Sequence, residues 1–186
     1  MRWDALFEDL ESQLQSASVI RQESEIRDRT RSEQSRLTLV QRLQGQRGAR
    51  VGIVTAGGRQ LSGMLTTVGA QWIAFESDGR SSIVPLASVQ LLRGLGRGVG
   101  QPLAGVQARL GLGSALRGLS QDRAHVVVWL IAPASRLFGV IDRVGADFLE
   151  VGVVASGEER RAQSTREVLT VPFASIDSID AGLPPT

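Results

Sequence analysis

Apolar positions alternate through Leu61, Gly63 and Leu65, and again through Leu137, Gly139 and Ile141. Such alternation is typical of β-strands that bury one face. It predicts a first set of strands near residues 49–55, 59–67, 71–77, 80–85 and 88–92, and a second set near 125–132, 135–144, 147–154, 167–172 and 175–180. Gly57-Gly58 and Asp78-Gly79 fall between predicted strands, where these residue types favour hairpin turns.

The two sets of strands are copies of one unit. The run LSGMLTTVGA at residues 61–70 returns as LFGVIDRVGA at 137–146, and VPLASV at 84–89 returns as VPFASI at 171–176. A glycine stands in the middle of the corresponding strand in both copies, which predicts a sharp bend there. We therefore expect a mainly β, α+β fold in which two five-stranded small barrels follow one another.

Helical spacing precedes each copy. Leu37, Val40 and Leu43 are spaced as on a helix that leads into the first copy, and Ser114 is the expected N-cap of a helix that leads into the second. The expected organisation is an N-terminal helical arm at 1–34 and a first barrel with its entry helix at 35–92. A flexible Gly/Arg-rich linker with a short helix follows at 93–113, then a second barrel at 114–181 with a charged insertion at 155–166.

The order of these features resembles the Sm-like fold, a short helix followed by a strongly bent five-stranded SH3-type barrel. The resemblance rests on the helix before Gly45, the Gly-Gly turn, the bent Leu-x-Gly-x-Leu strand at 61–65 and the Ile-Val-Pro-Leu-x-x-Val run at 83–89. It covers about residues 35–92 and, more loosely, 114–180, and it implies RNA binding. Sm-like proteins that bind uridine-rich RNA carry an Asp and an Asn after the bent strand. The matching positions here hold Gly69 and Ile73.

Two other segments, residues 1–11 and 109–117, resemble an uncharacterised actinobacterial family whose members are sometimes labelled Fis-family transcriptional regulators. A Fis-type protein is expected to be largely helical and to end in a helix-turn-helix. The C-terminal residues of this chain are predicted to be strands, so the label adds little to the functional reading.

All 21 basic residues are arginine, and the formal net charge at pH 7 is only +2. A surface that attracts nucleic acid would therefore have to come from local clustering of arginines. Arg59 and Arg136 fall near the same turn of the two copies. The candidate nucleic-acid-binding residues are Arg59, Arg80, Arg93, Arg97, Arg136, Arg143, Arg160 and Arg161. On this basis we expect a non-enzymatic RNA- or nucleic-acid-associated regulatory protein.

A second hypothesis starts from the N-terminal arm. Trp3, Leu6, Phe7 and Leu10 form one apolar stripe of a predicted helix, and residues 21–36 are highly charged. The stripe either packs on the protein's own barrels or binds a protein partner. In the latter case the protein is an adaptor that docks a larger assembly through this helix.

The residue inventory argues against catalysis. The chain has no cysteine or lysine to act as a nucleophile, and His125 is its single histidine. We expect no enzyme activity, no cofactor and no metal site. No apolar stretch is long enough to span a membrane and no signal peptide is visible, so we expect a cytoplasmic protein without membrane contact. Open barrel edges make a homo-oligomer an expectation as well.

One predicted strand is apolar at every position. Residues 126–131 read VVVWLI, whereas a strand with one wet face alternates. We expect both faces of this strand to be covered, by the first barrel, by the N-terminal helix or by another subunit.

Overall fold

The computed structural model describes residues 34–153 and 167–181, together with Glu25, Arg27, Arg29, Arg31 and Ser32. The chain divides into two compact units, Met1–Thr38 and Leu39–Thr186. In the first unit the described residues from 25 to 35 are helical and exposed.

The second unit contains ten strands, each within two residues of its predicted bounds. They are β1 (Arg50–Thr55), β2 (Gln60–Val68), β3 (Trp72–Ser77), β4 (Arg80–Pro85), β5 (Val89–Arg93), β6 (His125–Leu130), β7 (Arg136–Val144), β8 (Phe148–Val153), β9 (Val168–Pro172) and β10 (Ile176–Ala181). Short 3-10 helices precede β5 and β10, at Leu86–Ser88 and Phe173–Ser175. The alternation of apolar residues was therefore a sound guide to the strands.

All ten strands form one antiparallel sheet in the order β5-β1-β2-β3-β4-β10-β6-β7-β8-β9. The order within β1–β5 is repeated within β6–β10, so the sequence repeat is also a topological repeat. We call these strand sets the first and second halves. They are joined where β10 pairs with β4, with Ile179 opposite Ile83 and Asp180 opposite Ser82. This strand pair is the joint between the halves.

Two hydrophobic cores are present, one mainly in each half, and one helix contributes to each. Ala74 and Ile83 of the first half belong to the core of the second. Helix α1 (Leu39–Gln44) inserts Leu43 into the core of the first half. A five-residue helix, α2 (Gly105–Arg109), is followed by α3 (Leu112–Gln121), which packs on β7 and inserts Leu116 into the core of the second half. The N-cap of α3 is Gly111 and not the predicted Ser114. The Ser114 amide already donates to the Gly111 carbonyl, which places Ser114 inside the first turn.

The mid-strand glycines allow the neighbouring strand to come close. A Cβ at Gly63 would lie 2.6 Å from the Glu76 carbonyl oxygen, and one at Gly139 would lie 2.3 Å from the Gly152 carbonyl oxygen. The β2–β3 and β7–β8 pairings each shift register just after the glycine. Such an irregularity is typical of strands that bend.

Strand β6 is covered on both faces, which confirms the interpretation of its apolar sequence. Val126 and Val128 are fully buried, and Val127, which points to the other face, is also buried. The strand lies between β10 and β7 in the interior of the sheet. A central strand of this kind requires no alternation of polar residues.

Candidate nucleic-acid interface

Arg59, the first candidate nucleic-acid-binding residue, lies at the joint between the halves. Its guanidinium donates from Nη2 to Asp180 Oδ2 at 2.9 Å and from Nη1 to the Ser178 hydroxyl. Its Cζ also lies 4.0 Å from the centroid of the Trp129 ring, a cation–π contact. Because these groups already engage the guanidinium, Arg59 connects the first half to β10 and is poorly placed to bind a ligand.

Arg136 shares Trp129 with Arg59. It is exposed, lies opposite Trp129 in the β6–β7 register, and has its Cζ 5.7 Å from the ring centroid. The Trp129 indole N–H donates to Asp180 Oδ2 at 2.8 Å, which fixes the ring. The structure therefore brings Arg59 and Arg136 together around one tryptophan.

The other arginine candidates are dispersed. Arg80 is exposed at the start of β4, and Arg143 is exposed and lies 3.6 Å from a Glu150 carboxylate oxygen. Arg93 ends β5, and Arg97 follows it in the segment after that strand. Arg160 and Arg161 lie outside the described residues. The partner-binding candidates Trp3, Leu6, Phe7 and Leu10 also lie outside them.

The outward face of β5-β1-β2 carries a group of basic and apolar side chains. Arg50 and Gly52 alternate with the buried Val51 and Ile53 along β1, so both point away from the core. Residues directly opposite in an antiparallel pair share a face. Met64 lies opposite Arg50, and Arg93 lies opposite Gly52. Leu91 is two residues from Arg93 and therefore also shares this face. We call Arg50, Gly52, Met64, Leu91 and Arg93 the basic face.

The basic face is exposed and has a glycine at its centre. Met64 and Leu91 are each 45% exposed, which is high for large apolar residues in strands. A Cβ at Gly52 would lie 3.7 Å from the Arg93 Cβ. Because Gly52 has no side chain, the surface between Arg50 and Arg93 is not covered at this position. Two arginines beside exposed apolar side chains offer both phosphate contacts and surface for the flat side of a base.

The segment after β5 was expected to be a flexible linker, but the structure shows it held against α1. Arg42 on α1 donates to three successive carbonyls, those of Gly96 at 2.7 Å, Arg97 at 3.0 Å and Gly98 at 2.7 Å. The buried Gln46 accepts from the Gly96 amide at 2.9 Å and donates to the Gly98 carbonyl at 3.0 Å. These contacts hold residues 96–98 against α1.

Charge is divided unequally between the halves. Residues 39–111 contain eight arginines and two acidic residues, whereas residues 112–181 contain seven arginines and nine acidic residues. The first half with its following segment is therefore strongly basic although the whole chain is nearly neutral. Because a polyanion is attracted by local potential, the first half is the part of this protein suited to bind one.

Other candidate chemistry is sparse in the part of the chain that the structure describes. His125 is exposed at the start of β6, where its ring stacks on Phe138 with 5.5 Å between centroids. Among the described residues, no three histidine or acidic side chains are grouped as a metal ion requires. No described helix combines the length and apolar composition needed to cross a bilayer.

Comparison with known proteins gives no identification. The sequence matches no protein-family model and no curated protein.

Reasoning from the sequence missed Arg50 and Met64 as parts of the candidate interface. The signal was present, because alternation within the predicted strand at 49–55 places Arg50 on the outward face. The register that sets Met64 and Arg93 beside it follows from the Gly57-Gly58 turn and the β1–β5 pairing. Counting charges separately in the two copies would have drawn attention to the first half.

Proposed function

We propose that the chain is a non-enzymatic regulatory protein that binds single-stranded RNA on the basic face of its first half. The observation that carries the proposal is that Arg50 and Arg93 share one exposed sheet face with Met64 and Leu91. Arginines bind phosphates without regard to sequence, and exposed apolar side chains contact unstacked bases. Bases are accessible in this way in single strands, whereas those of a duplex are stacked inside it.

The proposed architecture is a tandem of two Sm-like barrels. Support comes from the strand order β5-β1-β2-β3-β4, which occurs twice, and from the two cores, one mainly in each half. In this proposal only the first barrel binds RNA, because it carries the excess of arginine. The second barrel buries the apolar strand β6 and supplies β10 to the joint.

Self-association is part of the proposal. Within the described sheet, β5 and β9 are the outer strands, and each exposes an apolar side chain, Leu91 on β5 and Val168 on β9. Outer strands of this kind pair readily with another chain. Light scattering coupled to size exclusion should show an oligomer that Val168→Arg weakens. A monomer at all concentrations would contradict self-association and would leave RNA binding open to its own test.

RNA binding is tested by fluorescence anisotropy with a labelled single-stranded RNA. We expect a dissociation constant of about 1–100 μM at physiological salt, typical of binding through phosphates alone. The double variant Arg50→Ala/Arg93→Ala should bind roughly tenfold more weakly. Arg117→Ala/Arg123→Ala is the matched control, since it removes two exposed arginines of the second half that are not among the candidate binding residues.

The same experiment can overturn the proposal. Absence of binding would exclude the RNA function. Equal losses in both double variants would show that net charge and not the basic face matters. If RNA is not bound and a protein partner is recovered only when residues 1–34 are present, the adaptor hypothesis takes its place.

A further inference from the structure

We propose that a groove beside the basic face binds one nucleotide unit, its base and its phosphate. The inference rests on the proposed function, because it assigns a subsite for the same ligand. The groove lies between α1, β2 and residues 100–107 and has a volume of 660 Å³. This volume falls in the range of about 300–1,000 Å³ that small-molecule sites occupy. We call it the linker groove.

The wall that the segment after β5 gives to the linker groove is fixed by packing. A Cβ at Gly45 would lie 2.5 Å from the Gly98 carbonyl carbon, and one at Gly100 would lie 2.5 Å from the Gln44 Cβ. The Gly100 amide donates to the Gln41 carbonyl at 2.9 Å, next to the contacts of Arg42 described above. These contacts hold the wall at Gly100, which lowers the entropy cost of ordering that part of the groove on binding.

Arg47 gives the groove its charge. Its Nε donates to the Thr66 carbonyl at 3.3 Å, which orients the guanidinium. No other partner of Arg47 occurs among the described residues, so its two terminal nitrogens remain available. Among the described residues, no acidic side chain lines the groove. An exposed guanidinium that is already oriented is suited to two parallel hydrogen bonds with a phosphate.

Glutamine amides supply the polar groups that a base requires. Gln44 donates from Nε2 to the Val68 carbonyl at 3.1 Å, which leaves its Oε1 as an acceptor. Gln101 and Gln107 line the groove, are exposed, and make no hydrogen bond to any described residue. An amide donates and accepts in one plane, as the edge of a nucleobase does.

Apolar side chains complete the groove. Met64 and Leu103 line it, and the thioether of Met64 is polarizable and adapts to a flat ring. Met64 also belongs to the basic face, where it lies opposite Arg50. A strand whose base enters the groove would therefore carry its next phosphate onto Arg50. Arginine, free amides and an apolar surface together select a nucleotide over a simple anion or an apolar ligand.

The first test titrates the full-length protein with uridine and adenosine 5′-monophosphates, followed by calorimetry or NMR. We expect saturable binding that Arg47→Ala weakens roughly tenfold or more, because one charge-assisted phosphate contact is lost. Arg117→Ala is the matched control and should change affinity by less than about twofold. Met64→Ala is a second variant that keeps all charges, and it should weaken binding through the base.

The second test locates the base and distinguishes a free nucleotide from a strand. A single-stranded RNA that contains 4-thiouridine is photo-crosslinked to the protein, and the attached peptides are identified by mass spectrometry. Crosslinks to the peptides that contain Met64 or residues 101–107 support the linker groove as a subsite of a bound strand. Binding of free nucleotide without any binding of RNA supports the groove and overturns the proposed function.

Two results would overturn the groove alone. One is RNA binding that depends on Arg50 and Arg93 but is unchanged in Arg47→Ala and gives no crosslink to the groove peptides. The other is nucleotide binding that Arg47→Ala and Arg117→Ala reduce equally. If neither nucleotide nor RNA binds, the inference and the proposed function both fail.

Discussion

Asp177 is the residue that ties the second half most closely to the first. Its carboxylate is fully buried and accepts three hydrogen bonds of 2.7 Å, from the Thr55 hydroxyl, the Gly57 amide and the Ser88 hydroxyl. All three donors belong to the first half, whereas Asp177 lies on β10. A buried carboxylate with its donors satisfied in this way makes the joint specific, because an apolar substitute would leave those donors without partners.

Asp177→Ala should lower the free energy of unfolding by about 3 kcal/mol, because hydrogen bonds to a charged group are lost and buried donors are left unsatisfied. Urea denaturation followed by tryptophan fluorescence measures the change. Asp147→Ala is the control, since Asp147 is exposed. Equal stability of the two variants would contradict the role assigned to Asp177.

Glycine at position 139 is required by the close approach of β8. Gly139→Ala should destabilise the protein by about 1–3 kcal/mol, since its Cβ would overlap the Gly152 carbonyl. Gly118 in α3 has nothing within 4 Å of its Cβ position. Gly118→Ala should therefore stabilise the protein by about 0.5–1 kcal/mol, as alanine does within a helix. Thermal unfolding of both variants checks that Gly139→Ala lowers the stability and Gly118→Ala raises it.

At the scale of elements, the segment after β5 packs against α1 and is held there by hydrogen bonds. Its glycines approach the helix backbone closely, and Arg42 holds three of its carbonyls. The segment thereby forms one wall of the linker groove beside the basic face. An arrangement of this kind depends on a planar guanidinium, whose several donors reach several acceptors at once.

Arg42→Ala should release this segment. Tryptic cleavage after Arg97 is expected to become at least about tenfold faster, because cleavage tracks the population of the opened segment. The cleavage rate of Arg42→Lys should fall between those of the original protein and Arg42→Ala, because an ammonium lacks the planar arrangement of donors. Arg117→Ala is expected to leave the cleavage rate within about twofold of the original. An unchanged rate in Arg42→Ala would show that Arg42 does not hold the segment.

The strands could be predicted from the sequence, whereas the contacts between elements could not. Alternation and the repeat placed all ten strands, because a period of two follows from burial of one sheet face. Asp177 escaped notice because a charged residue in an alternating strand ordinarily faces water. It is buried here because Thr55, Gly57 and Ser88 of the first half pack against its carboxylate. The fixed segment was likewise hidden, because Arg42 and the carbonyls it contacts are more than fifty residues apart.

At the scale of the whole molecule, the two copies of one unit have become different. The first half is rich in arginine and carries the exposed basic face, and the second half holds the apolar central strand and has more acidic residues than arginines. The nearly neutral total conceals this division. We therefore propose that the first half binds the ligand and the second supports the joint, and we expect the affinity to depend on a small number of phosphate contacts.

The most direct test of this account is the dependence of RNA affinity on salt concentration. The affinity should fall as salt rises, and each arginine–phosphate contact contributes about 0.7 to the slope of log K against log salt for a single strand. Arg50→Ala/Arg93→Ala should therefore lower the magnitude of the slope by about 1.4, while Arg117→Ala/Arg123→Ala leaves it unchanged. A slope of zero, or the same slope in both double variants, would contradict RNA binding on the basic face.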